Sequence, residues 1–163
     1  MEPMAWLETT APGFDQLTTE ERNAIRDFAM LWSLYEGAVL NSSAHANSII
    51  AAVNSIQQRG RLNIIPIRPA IEYFVARYFD GNDLTHAYNM LLLRQNDRPD
   101  LVEKVVRKQC QNDAEMLSAV LIIVLRLRNN LFHGIKWSYG IKDQLQNFQN
   151  ANHVLMAVME MHA

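Results

Sequence analysis

Two arginines, two asparagines and a histidine stand close together at the end of the most apolar stretch of the chain. They lie within residues 126–134, whose sequence is RLRNNLFHG. An arginine presents a fixed fork of N–H donors that fits phosphate oxygens, and a histidine can accept and return a proton near neutral pH. Together these residue types can handle phosphate without a metal ion. A cation beside an apolar run also needs a partner or a function, because a buried unpaired charge is costly.

The helical wheel leaves open which of the two arginines faces the histidine. Successive residues of an α-helix are about 100° apart. One side of the wheel carries the polar residues Arg126, Asn129, Asn130 and His133. Arg128 falls with Phe132 on the apolar side, and it converges with His133 only if the helix ends near Phe132 and Gly134 redirects the chain. Both arginines therefore remain candidates.

The elements that position this segment are helical almost throughout. Apolar residues recur at helical spacing, and Thr18 with Glu21 forms a capping box at the start of the first long helix. Proline and glycine mark the breaks, with an arm over residues 1–17 and an extended connector over 61–69. The predicted helices span residues 18–40, 43–58, 70–79, 84–95, 100–109, 112–134 and 143–161. We therefore expect one all-α domain over residues 1–163, a bundle of about six or seven helices.

Composition excludes several classes of protein. The chain of 163 residues has a formal net charge of −2, which argues against a protein that coats nucleic acid by charge alone. Cys110 is the only cysteine, so neither an intrachain disulfide nor a cysteine-based zinc site is expected. The four histidines outside the segment show no metal-ligand spacing, and we expect no metal and no cofactor. The start of the chain lacks the pattern of a secretory signal, and no apolar run is long enough for a membrane span, so we expect a cytoplasmic protein.

The residues Arg128-Asn129-x-x-x-His133, followed by Gly134, resemble the motif of the HEPN superfamily (higher eukaryotes and prokaryotes nucleotide-binding). In that superfamily an arginine, a polar neighbour and a histidine lie at the end of a late helix of an all-α domain. The first long helix adds to the likeness, because Phe28-x-x-Leu31-Trp32-x-x-Tyr35-Glu36 is similar to the aromatic first helix with an acidic residue that many members carry. Within that superfamily the chain most resembles an ApeA-like or related stand-alone branch.

The resemblance implies a metal-independent endoribonuclease that acts as a symmetric homodimer. Arg128 would stabilise charge on the phosphorane, and His133 would take the proton of a ribose 2′-OH or deliver one to the leaving 5′-oxygen. Asn129 would orient His133 or a phosphate oxygen, and Glu36 would hold Arg128. The polar residues Arg126 and Asn130 would support the site. A toxin or antiviral-defence effector, controlled by a neutralising antitoxin protein, fits such an activity.

Residues that follow the motif are candidates for contacting RNA. Trp137 and Tyr139 stand beside Lys136 and Lys142, and aromatic rings interleaved with cations suit a single-stranded nucleic acid. The acidic residues between the later helices, Asp97 among them, are expected to cap helices and to lie on a solvated face.

A second interpretation of the motif involves no catalysis. Arg128 would be a buried arginine paired with Glu36 or Glu72, and His133 would be a helix C-terminal residue favoured by the helix dipole. The chain would then be a helical binding or dimerisation module. The orientation of Arg128 and His133 discriminates between the two interpretations.

Overall fold

Helices form almost all the regular structure in the computed structural model, which describes residues 2–134, 141 and 144–163. They are α1 Pro3–Thr10, α2 Thr19–Ala38, α3 Ala46–Gln58, α4 Arg68–Tyr78, α5 His86–Asn89, α6 Pro99–Val106, α7 Asp113–Phe132 and α8 Leu145–His162. Over these residues no β-strand forms, and one isolated bridge joins Phe79 to Leu84. The prediction of an all-α fold is confirmed.

Helix α7 lies at the centre of the bundle. Every residue from Leu117 to Leu127 is buried, and the helix packs chiefly against α3 and α6, with further contacts to α4 and α8. A helix that is apolar on all sides is typical of a buried core position. The helical wheel predicted an apolar face on only one side of this helix, whereas the middle of α7 is buried on all sides. At the end of the helix the wheel placed Phe132 on the apolar face, but this residue is 54% exposed.

Helices α2 and α8 form the most extensive helix pair of the bundle. The aromatic residues Phe28, Trp32 and Tyr35 of α2 are buried, and the Phe28 ring lies 5.0 Å from that of Phe148 on α8. The predicted capping box is present, since the Thr18 side chain accepts from the Glu21 amide and the Glu21 carboxylate accepts from the Thr18 amide. These contacts fix the face of α2 that carries Trp32 and Glu36.

The prediction of a helix over residues 84–95 is wrong. Only the single turn of α5 forms, and Leu92 has a left-handed φ of 54°. The amide of Arg94, which would continue the helix by donating to the Met90 carbonyl, donates to the Asp97 carboxylate at 2.8 Å instead. The carbonyls of Met90 and Leu91 accept hydrogen bonds from side chains of α7. Tertiary hydrogen bonds thus replace the helical ones.

Other boundaries differ by smaller amounts. The N-terminal arm contains α1, none of whose residues is buried, and the connector over 61–69 contains a 3₁₀ turn at Ile65–Ile67 before α4 begins. Pro99 opens α6, and the Asn112 side chain caps α7 by accepting from the Glu115 amide. No described helix combines the length and the apolar character that a membrane span requires.

The capping box gives a test of the fold. We expect Thr18→Ala to lower the free energy of unfolding by about 0.5–2 kcal/mol, because the first turn of α2 loses a hydrogen-bond acceptor for its amides. Urea denaturation followed by circular dichroism measures the change. Thr19→Ala is the matched control, since Thr19 begins the helix and is exposed. Equal losses in the two variants would contradict a stabilising cap.

Candidate functional site

Arg126 is buried inside the bundle. The residue is 2% exposed, its Nε donates to the Leu91 carbonyl at 3.1 Å, and its Nη1 lies 3.3 Å from an Asp97 carboxylate oxygen. Burial lowers the pKa of Arg126, while the Asp97 carboxylate opposes that shift. The guanidinium is therefore committed to the segment between α5 and α6, and this leaves Arg128 as the arginine available at the surface.

Asn130 completes a buried polar cluster with Arg126 and Asp97. It is 1% exposed, and its amide nitrogen donates to the carbonyls of Met90 and Leu91 at 3.2 and 3.3 Å. Asp97 was expected on a solvated face, but it is 9% exposed. It does serve as a cap, since it accepts from the Arg94 amide, and it also faces Arg126. No sequence pattern links it to an arginine so far along the chain.

Arg128 lies at the boundary between the core and the surface. Its Nη2 lies 3.6 Å from a Glu36 carboxylate oxygen, and its Nη1 donates to the Asn129 side-chain oxygen at 3.0 Å. The side chain of Arg128 is 29% exposed and that of Glu36 is 25% exposed. Glu36, and not Glu72, is thus the acid that pairs with this arginine. The pair is accessible to solvent and is not enclosed.

Two aromatic rings flank the Arg128 guanidinium. Its central carbon lies 5.9 Å from the Trp32 ring centroid and 5.3 Å from that of Phe132, within the range of cation–π attraction. The indole N–H of Trp32 donates to Glu36 at 2.6 Å, to the same oxygen that faces Arg128. Trp32 thus orients the Glu36 carboxylate and contacts the Arg128 guanidinium, a role that the sequence analysis did not assign to it. Its position four residues before Glu36, on the same helix face, was the available signal.

His133 caps the C-terminal end of α7 and is exposed. Helix α7 ends at Phe132, and Gly134 follows with a left-handed φ of 74°, the conformation that glycine commonly supplies beyond a helix end. The chain therefore turns where convergence of Arg128 and His133 requires it to turn. Within residues 2–134, no hydrogen bond or ion pair joins the two side chains.

The four predicted RNA contacts, Lys136, Trp137, Tyr139 and Lys142, lie outside the described residues. Across the described ranges, no group of three or more His, Cys, Asp or Glu side chains is arranged to hold a metal ion. The site consists of the partly exposed Arg128 and Asn129 and the exposed Phe132 and His133 at the end of α7, with Trp32 and Glu36 on α2.

Comparisons with protein-family models, curated proteins and solved structures gave no significant match to the chain. The fold and the site define an all-α protein in which Arg126 is buried in the bundle and Arg128 is accessible at the end of α7.

The buried polar cluster gives a second test. We expect Asp97→Asn to lower the free energy of unfolding by about 3–5 kcal/mol, because Arg126 would stay buried without a countercharge. Chemical denaturation measures the loss. Asp100→Asn is the control, since its carboxylate pairs with Arg98 at the surface and its loss should change stability little. Similar small changes in both variants would contradict the structural role of the cluster.

Proposed function

We propose that the chain is a metal-independent endoribonuclease of HEPN type. The observation that carries the proposal is the setting of Arg128, a partly exposed guanidinium held at the end of α7 with an exposed histidine five residues further on. The motif residues Arg128, Asn129 and His133 thus share the accessible end of one helix. The other conspicuous polar residues of the segment, Arg126 and Asn130, support that end from inside the bundle.

Arg128 would bind the scissile phosphate and stabilise the charge that develops on it. A guanidinium has five N–H donors, and the contacts with Glu36 and Asn129 involve its Nη atoms while the side chain stays 29% exposed, which leaves further Nη donors for a phosphate. The contacts with Glu36, Asn129 and the two rings fix the side chain before substrate arrives, which lowers the cost of reorganisation. Glu36 and Trp32 are thus positioning residues.

His133 would move the proton. As a base it takes the proton of the ribose 2′-OH, whose oxygen attacks the phosphorus atom, and the P–O5′ bond breaks. The leaving 5′-oxygen takes up a proton, and the products are a 2′,3′-cyclic phosphate and a 5′-hydroxyl. One histidine cannot easily hold the proton-accepting and proton-donating roles at once. A second copy of the motif, from the other subunit of a symmetric dimer, would provide the acid.

The exposed side of α2 supports a homodimer. Met30 is 70% exposed and Leu34 is 59% exposed, and the two lie one helical turn apart. Trp32 and Glu36 lie on roughly the opposite side of the helical wheel, so a contact through Met30 and Leu34 supports association of two copies without itself joining their motifs. The residues that follow the motif, Lys136, Trp137, Tyr139 and Lys142, would contact the RNA. A cytoplasmic toxin or antiviral-defence role with a neutralising antitoxin is the biological setting that this activity fits.

The ion pair between Arg128 and Glu36 favours one further candidate, a binding or dimerisation module without catalysis. In that case the pair only ties α7 to α2, and the exposed apolar residues of α2 serve association alone. Cleavage assays separate the two functions.

We expect the purified protein to cleave single-stranded RNA in the presence of EDTA. His133→Ala should lower the rate roughly a hundred- to ten-thousand-fold through loss of proton transfer. Arg128→Ala should lower it roughly a hundred- to a thousand-fold through loss of charge stabilisation. Product ends are read by mass spectrometry as 2′,3′-cyclic phosphates. The matched control is His153→Ala, an exposed histidine on α8 that should leave the rate unchanged. Activity that needs added metal, or that survives the loss of His133, would overturn the mechanism.

We also expect Leu34→Glu to convert a dimer into a monomer, because a charge would be buried in an apolar contact. Light scattering coupled to size-exclusion chromatography measures the mass. Ile65→Glu, at another apolar position that is 71% exposed, should leave the mass unchanged. A wild-type protein that is monomeric at all concentrations would remove the two-histidine scheme.

A further inference from the structure

An apolar pocket of about 320 Å³ lies beside the candidate site, between α2 and the end of α7. Its apolar walls come from Ile25 and Ala29 on α2, from Leu131 and Phe132 on α7, and from Ile141. The volume falls at the lower end of the range of about 300–1,000 Å³ that ligand pockets span. A space of this size and character suits one flat, largely apolar group.

Phe132 connects this pocket with Arg128. Its ring lines the pocket, and the same ring has the Arg128 guanidinium 5.3 Å from its centroid. The ring is 54% exposed although it stands one position after a buried leucine. A large exposed aromatic side chain at the mouth of an apolar pocket offers a stacking surface.

Cations surround the pocket. Arg22 and Arg26 line it from α2, Arg22 being bonded to Glu8 at 2.6 Å, and Arg128 lies against the Phe132 ring. Arg26 is bonded to the neighbouring Asp27, but both side chains are more than half exposed, and such a surface pair is weak enough for a phosphate to compete. The surroundings therefore favour a ligand that combines a flat apolar group with negative charge.

We infer that this pocket holds a nucleobase of the bound strand, the one next to the phosphate that Arg128 contacts. The inference rests on the proposed RNA substrate and adds where a base sits. The base stacks on Phe132 and lies against Ile25 and Ala29, while its own phosphate approaches Arg26. The chain would then prefer unpaired RNA, because a base in a duplex cannot enter the pocket.

Binding of a non-cleavable strand tests the inference independently of catalysis. The probe is a fluorescein-labelled RNA tetranucleotide with 2′-O-methyl riboses, and the readout is fluorescence anisotropy. Phe132→Ala should weaken binding about five- to 150-fold, as loss of one stacked base does, and Phe132→Tyr should retain affinity. Ala29→Phe should weaken binding by filling the pocket, whereas Ala38→Phe, on the same helix outside the pocket, should not. Circular dichroism verifies that each variant is folded.

An abasic tetranucleotide of equal charge is the matched ligand control. We expect it to bind at least five-fold more weakly than the strand with bases. Equal affinity for both strands, or no effect of Ala29→Phe and Phe132→Ala, would overturn the inference. So would a halved mass of the protein in Phe132→Ala or Ala29→Phe together with intact strand binding, since the pocket would then hold a second copy and not a base. Binding that depends on the pocket in a protein that cleaves no RNA would support the inference while refuting the proposed ribonuclease.

Discussion

The fold depends on how the central helix accommodates Arg126. A guanidinium within the bundle requires a countercharge and hydrogen-bond acceptors, because its uncompensated burial is costly. Asp97 and the Leu91 carbonyl meet that requirement, and Asn130 adds contacts to the same stretch of backbone. The segment between α5 and α6 is therefore held in a non-helical path. These contacts fix the orientation of the C-terminal half of α7 about its axis. In that orientation Arg128 points towards α2 and the surface.

The two arginines consequently have different physical roles despite their near adjacency. Arg126 acts inward, through a countercharge and backbone acceptors, and it stabilises a local path of the chain. Arg128 acts at the boundary, where Glu36, Trp32 and Phe132 hold it without covering it. A fixed and accessible cation is what charge stabilisation at a phosphate requires. The pocket beside Phe132 extends the same site, since one ring serves both the cation and the apolar wall.

Local patterns predicted the parts of the structure that depend on local physics. The capping box of α2 is a contact between near neighbours, and its prediction is confirmed. The prediction of a helix over residues 84–95 was wrong because the carbonyls of Met90 and Leu91 and the amide of Arg94 form hydrogen bonds with side chains and not with the helix backbone. The pairing of Asp97 with Arg126 could not be predicted from local patterns either, because the two residues are far apart in the sequence. The pairing of Glu36 with Arg128 was predicted from the resemblance of the first long helix, whereas the contact of Trp32 with Arg128 depends on how α2 and α7 pack.

The all-round burial of α7 also has a consequence for biosynthesis. Residues 119–125, with the sequence AVLIIVL, carry no charge and no proline, and they are rich in β-branched side chains. Such segments form intermolecular β-structure when they are left uncovered. While the chain is synthesised they emerge before α8, one of the helices that cover α7. Arg126 directly follows the segment and Arg128 stands two residues further on, and charges beside such a segment oppose its pairing with other copies before the two side chains take up their places in the folded protein.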